Sequence, residues 1–165
     1  MKHLIPCICA LLLFACKGDP ASEALRDIKK LESNKNLAAS DSMINSYVRF
    51  ADGFPEHDSA VVFLLNAAHI CIKSNKVAKG ARLYERIAAE YKGNPYAPEA
   101  LIRGGTAFAS IPDPANAKRL YDMFIQNYPQ HKRIGEVRVW SETSGMSEEQ
   151  LFRYFKSEIL QEDSI

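Results

Sequence analysis

Tyr121–Asp122–Met123–Phe124–Ile125–Gln126–Asn127–Tyr128–Pro129–Gln130–His131 is the second full statement of a pattern in this chain. The first is Tyr47–Val48–Arg49–Phe50–Ala51–Asp52–Gly53–Phe54–Pro55–Glu56–His57, 74 residues earlier. Tyr, Phe, a further aromatic residue, Pro and His hold the same internal positions in both. Midway between them lies a third copy, Tyr84, Ile87 and Tyr91, with its proline displaced to Pro95. The repeat length is therefore 37 residues. A period of that size predicts stacked helical hairpins, because a lone hairpin cannot bury its own apolar face.

Working outward, helical periodicity accounts for the rest of the chain. Ala24, Leu25, Ile28 and Leu31 share one face of a first helix opening at Ser22, which the polar run 33–36 breaks. A second helix is expected over 38–53, stopped by Pro55. Asp58 is expected to cap a third helix running to Ile72, apolar nearly all round and hence buried between neighbours. Further helices are expected over 77–91, 97–110, 115–128, 134–143 and 147–160. Ser147 with Gln150 matches a capping box, and Gly145 fits the C-cap before it. No stretch alternates with period two for long enough to make a strand. The expected fold is all-α, a short right-handed solenoid of about three helical hairpins plus a C-terminal capping helix. The expected packing points are small: Gly80 and Ala117 in second helices (Met43 in the first copy), and Ala60, Ala67, Ala97 and Gly104 in first helices.

The N-terminus carries an address. Met1–Lys2–His3 precedes a mostly apolar run, 4–14, too short to span a bilayer and interrupted by Pro6. Leu13–Phe14–Ala15–Cys16 resembles the bacterial lipoprotein signal, in which cleavage precedes a cysteine that takes lipid. That resemblance implies removal of residues 1–15, lipidation of Cys16, a short linker over 16–21 and one helical domain over 22–165. Cys7 and Cys9 leave with the signal, so the mature domain keeps Cys71 alone and has no disulfide framework. Its formal charge becomes zero, with 20 basic and 20 acidic residues, which excludes the basic footprint of a nucleic-acid binder.

Small residues in the paired helices, followed by Tyr–x–x–Phe–x–x–x–aromatic–Pro–x–His, resemble tetratricopeptide repeats. Over residues 38–133 the similarity is to the subtype in bacterial envelope lipoproteins, including those of the outer-membrane β-barrel assembly machine and the Tol–Pal system. The barrel-assembly lipoprotein is longer, and the Tol–Pal coordinator has a coiled coil that this chain lacks. The resemblance implies a non-catalytic, protein-binding scaffold of the cell envelope, anchored in the outer membrane by lipid on Cys16. The implied partners are other envelope proteins or their peptide segments. It also implies that the first helices line a concave groove, showing Val61, Leu64, Ala68 and Ile72, then Pro98, Leu101, Gly105 and Phe108. Such a stripe takes an extended peptide or a partner helix, unless the terminal helices fill it and it is simply core.

Other motifs fit structure better than chemistry. The chain has no HExxH, no nucleophile elbow, no Walker loop and no CxxC, so neither a metal nor a cofactor is expected. Glu56–His57–Asp58 resembles an acid–base cluster, but His131 repeats His57 in the same turn, which marks a structural histidine. His69 is expected in the core, Gly104–Gly105 in a close helix contact, and Cys71 as an inert small hydrophobe. Ser42, Ser59 and Ser164 each follow Asp and precede an apolar residue. They resemble the O-glycosylation acceptor of Bacteroidetes envelope proteins. The alternative functions are a peptide or small-molecule receptor, a cofactor-less enzyme on the same scaffold, or an accessory subunit binding through Phe152, Phe155 and Ile159.

Overall fold

Short polar side chains and prolines set where several of the helices begin. The Asp19 carboxylate accepts the backbone N–H groups of Ala21 and Ser22, with Pro20 pre-set as the first helical residue. Ser40 Oγ does the same for Met43 N–H, and Asp113 Oδ1 for Asn116 N–H beside Pro114. The computed structural model describes residues 19–162. Among the described residues there are eight α-helices and no strand. They are α1 (Pro20–Ser33), α2 (Asp41–Gly53), α3 (Ser59–Lys73), α4 (Val77–Glu90), α5 (Ala97–Ala109), α6 (Pro114–Asn127), α7 (Ile134–Thr143) and α8 (Glu148–Glu162). From α1 to α7 each helix packs on the next in the chain, as expected of stacked hairpins.

The repeated turn explains its own sequence. His57 Nδ1 accepts Ser59 N–H at 3.1 Å, and His131 Nδ1 accepts Arg133 N–H at 3.2 Å. The two rings meet Phe50 and Phe124 edge-on, with centroids 5.1 and 5.0 Å apart. Both histidines are thus structural. The cap expected from Asp58 is not made by its side chain: His57 Nδ1 takes Ser59 N–H and the His57 carbonyl takes Ala60 N–H. In the middle copy Asn94 Oδ1 takes the same place and accepts Tyr96 N–H at 3.0 Å. The capping box at Ser147 and Gln150 forms in both directions, at 2.8 and 3.3 Å. Gly145 takes a φ of +83°, the left-handed conformation a helix C-terminus favours in glycine.

Two buried clusters fill the stack. One joins α1 to α5 around Met43, Ile44, Tyr47, Phe50, Leu64 and Ile87. The other joins α4 to α7 around Leu101, Phe108, Leu120, Tyr121, Phe124 and Val137. Ile72 packs against both. Helices approach closely where the sequence is small: a Cβ on Gly80 would lie 2.9 Å from Ala68 O, and one on Gly104 would lie 2.7 Å from Leu120 Cδ1. At the position equivalent to Ala67 and Gly104 the third repeat has Ser141, a polar side chain buried in the core. Its hydroxyl donates to Asp122 Oδ1 at 2.5 Å and lies 3.1 Å from Lys118 Nζ.

Neighbouring repeats are also tied at their surfaces. Arg86 pairs with Asp52 at 2.7 Å, Arg119 holds Glu85 through two bonds of 2.7 and 3.0 Å, and Lys76 pairs with Asp41. Each partner lies 34 or 35 residues back, close to one repeat length. These pairs are largely solvated, so each contributes at most about 1 kcal/mol.

Candidate functional site

The face of the first helices that stays in solvent is set by which stripe the core takes. α3, α5 and α7 turn their most continuous apolar stripes inward. They leave outward Val62, Leu65, Asn66 and His69 on α3, Glu99, Arg103 and Thr106 on α5, and Glu136, Trp140 and Thr143 on α7. These positions repeat at 37: Asn66, Arg103 and Trp140 are equivalent, as are His69, Thr106 and Thr143. All of these outward residues but Val62 and Glu136 line a trough of three adjoining recesses, of about 280, 520 and 630 Å³. His69, Tyr84, Glu99 and Arg103 wall both the first and the second. Thr106 and Arg133 wall both the second and the third. A separate recess of about 460 Å³ lies against the 55–58 turn and Tyr91 and shares none of these walls.

The trough combines an apolar floor with charged walls. Tyr84, Ile102, Ala107 and Tyr121 are buried beneath it. Glu99 sits between two guanidiniums: Arg103 Nε lies 2.9 Å from Oε1 and Arg133 Nη1 lies 3.3 Å from Oε2. Arg133 also reaches Glu136 at 3.2 Å and stands over the Trp140 ring at 5.2 Å. Tyr121 Oη lies 3.4 Å from Thr106 Oγ1, and its ring is 5.8 Å from Trp140. Burial pushes the Tyr121 hydroxyl up, partly offset by the bond to Thr106, so it remains a neutral hydrogen-bonding group. Such a surface offers fixed donors and acceptors beside apolar recesses, the composition that holds a peptide segment.

The groove expected from the sequence is core. Val61, Leu64, Ala68, Leu101, Gly105 and Phe108 are all buried, and a Cβ on Gly105 would run into the Tyr121 ring, 2.7 Å from Cδ1. Ile72 is half-buried and borders the second recess, and Pro98 is half-buried. The trough lies on the expected helices, but on a face turned by one residue, about 100° around the axis. α3 is apolar nearly all round, so its own periodicity does not define an inward side. On α5 the polar spacing of Glu99, Arg103, Thr106 and Ser110 did carry the signal, at i, i+4, i+7 and i+11. His69 is corrected too: it is exposed on the trough wall, not in the core.

The remaining candidates separate clearly. Ser42 is exposed and Ser59 half-buried, while Cys16 and Ser164 lie outside the described residues, as does the signal segment expected over 1–15. Cys71 is buried, and burial pushes its thiol up, away from the reactive thiolate. Among the described residues no group of three His, Cys, Asp or Glu is placed to hold a metal ion. None of their helices is long and apolar enough to cross a membrane. Comparison with family models, with characterised proteins and with solved structures finds no match to this chain.

Proposed function

We propose that this protein is a non-catalytic binding scaffold of the bacterial cell envelope, a lipoprotein of the outer membrane that holds segments of other envelope proteins in the trough of α3, α5 and α7. The observation that carries the reading is the continuity of the trough across equivalent positions of successive repeats. A repeat stack presents one extended surface, and an extended ligand is the natural match to it. Lipid on Cys16 would keep that surface near the membrane, since only residues 17–19 separate it from α1 and they reach on the order of 10 Å at roughly 3.4 Å per residue. The convergence of His69, Tyr84, Glu99 and Arg103 on one recess supports the narrower reading of a peptide receptor.

A detergent pull-down of the full-length tagged protein from its own envelope, with mass spectrometry, tests this. Cys16→Ala and Arg103→Glu versions run beside it, the latter checked for an unchanged helical spectrum. The expected result is an envelope protein enriched by the wild type and lost with Arg103→Glu. Recovery of nothing in excess by any form would remove the scaffold reading.

A further inference from the structure

The second and third recesses of the trough are one junction built twice, a repeat apart. His69, Tyr84, Arg103 and Thr106 wall the second, and their equivalents Thr106, Tyr121, Trp140 and Thr143 wall the third. The third is larger and reaches Pro114 and Ala117, whereas the equivalents of those two, Val77 and Gly80, do not line the second. At the inner junction two large side chains pack there. Ile72 lies on Gly80, so closely that a Cβ there would meet Ile72 Cδ1 at 2.7 Å, and Val77 packs against the cluster that holds the buried Phe108. At the outer junction Ala109 stands for Ile72 and Gly145 for Phe108. The chain still passes the same point: a Cβ on Gly145 would lie 3.3 Å from Pro114 Cβ. Only the side chains are gone.

What the third recess lacks is apolar volume, not charge or hydrogen bonds. Arg133 is held by Glu99 and Glu136, and the Thr143 and Ser144 hydroxyls donate to the carbonyls of Val139 and Trp140. Tyr121 Oη lies against Thr106 Oγ1. Left uncommitted are the small residues Ala109, Pro114 and Ala117 and the rings of Tyr121 and Trp140, which stand 5.8 Å apart and tilted by 47°. Such a pair takes a further aromatic ring in an edge or offset contact. We propose that the third recess is a socket for one phenylalanine-type side chain, presented by the segment that lies in the trough. That side chain fills the place that Phe108 and Ile72 fill one repeat earlier, so the stack carries its own template for the ligand. Thr106 and Arg133 wall both recesses, and a segment crossing the second therefore runs into the third. This rests on the trough being a docking surface and names the anchor of its ligand: a buried aromatic in a closed pocket, the kind of contact that dominates binding energy.

Trp140 is the sole tryptophan of the chain, so its fluorescence and its indole N–H resonance read the socket. The full-length protein, held in lipid nanodiscs so that no detergent competes, is titrated with N-acetylphenylalanine amide and with N-acetylalanine amide. A saturable change is expected from the phenylalanine probe, near about 1 mM for so small a ligand, with the alanine probe at least tenfold weaker. Ala109→Leu plugs the recess from α5 and should abolish the change without lowering the melting temperature. No response, or equal responses to the two probes, overturns the inference. A plug that lowers the melting temperature by several degrees overturns it too, because the chain itself then occupies the space. The envelope pull-down separates the two readings: capture lost with Arg103→Glu but kept with Ala109→Leu leaves the trough standing and removes the anchor.

Discussion

The turns at 47–57 and 121–131 share their side chains, whereas the turn at 84–94 reaches the same backbone by another route. In the outer two a histidine ring accepts the N–H two residues on and packs edge-on against a buried phenylalanine. In the middle one Asn94 supplies the acceptor and Ile87 replaces the phenylalanine. What the turn requires is an acceptor at that position, and the ring is needed only where an aromatic core residue waits for it. A second difference follows at the helix end. Tyr128 Oη reaches Lys92 O at 3.3 Å, while Tyr91 Oη is buried without a hydrogen-bond partner. The middle copy therefore carries an unpaid polar group that the last copy does not.

The largest test of this comparison is truncation of the core residue in each turn. Phe50→Ala and Phe124→Ala should each lower unfolding free energy by about 3–5 kcal/mol, and Ile87→Ala by about 2–5 kcal/mol. Denaturant melts measure this. A small loss for either phenylalanine would mean that the histidine ring, not the core, anchors those turns.

Next in size is Gly105→Ala. The equivalent residue beneath Tyr84 is Ala68, so homology between repeats suggests tolerance. The Tyr121 ring, however, occupies the space of a Gly105 Cβ, and the substitution should cost about 1–3 kcal/mol by overpacking. An unchanged melting midpoint would show that the Tyr121 ring can retreat.

Smaller effects separate the acceptors. His131→Ala and Asn94→Ala should each cost about 1 kcal/mol, as for the loss of a helix cap. The exchanges His131→Asn and Asn94→His should differ: the first forfeits the packing on Phe124, whereas the second keeps the acceptor and stays within about 0.5 kcal/mol. Equal losses for both exchanges would break the distinction between acceptor and ring.

The smallest effect lies at Asp122, whose partner Ser141 has no counterpart hydroxyl at Ala67 or Gly104. The bond from Ser141, helped by Lys118, holds the Asp122 carboxyl below the usual carboxylate range, against a contrary push from burial. A depressed folded value means stability that is present above the unfolded value, about 4, and lost as pH falls through the folded one. The advantage of wild type over Asp122→Asn should therefore be full at pH 7 and shrink below about pH 4, as followed by thermal melts. A pH-independent difference would assign the effect to packing alone.

Much of this was readable in the chain. The 37-residue period, the all-helical class, the structural histidines and the capping box came from Tyr47, Tyr84, Tyr121, His57, His131, Ser147 and Gln150 in pattern. The helix boundaries shifted by up to three residues, α2 opening at Asp41 because Ser40 supplies the cap. The trough was misplaced for a physical reason. Repeat alignment fixes which residues are equivalent, but not which way an evenly apolar helix such as α3 faces. Only its neighbours decide that, and the neighbours meet through side chains such as Tyr121 over Gly105 that no local window contains.

Ile72 gives the stack a property that a row of hairpins does not have by default. Arrays of repeats can fray from an end, each unit answering only to the next. Here one side chain at the end of α3 belongs to the packing of both clusters and also borders the trough. A ligand seated there would touch a side chain shared by the packing of both clusters, so binding should stabilise both together. Bound, the two halves should unfold together as one unit.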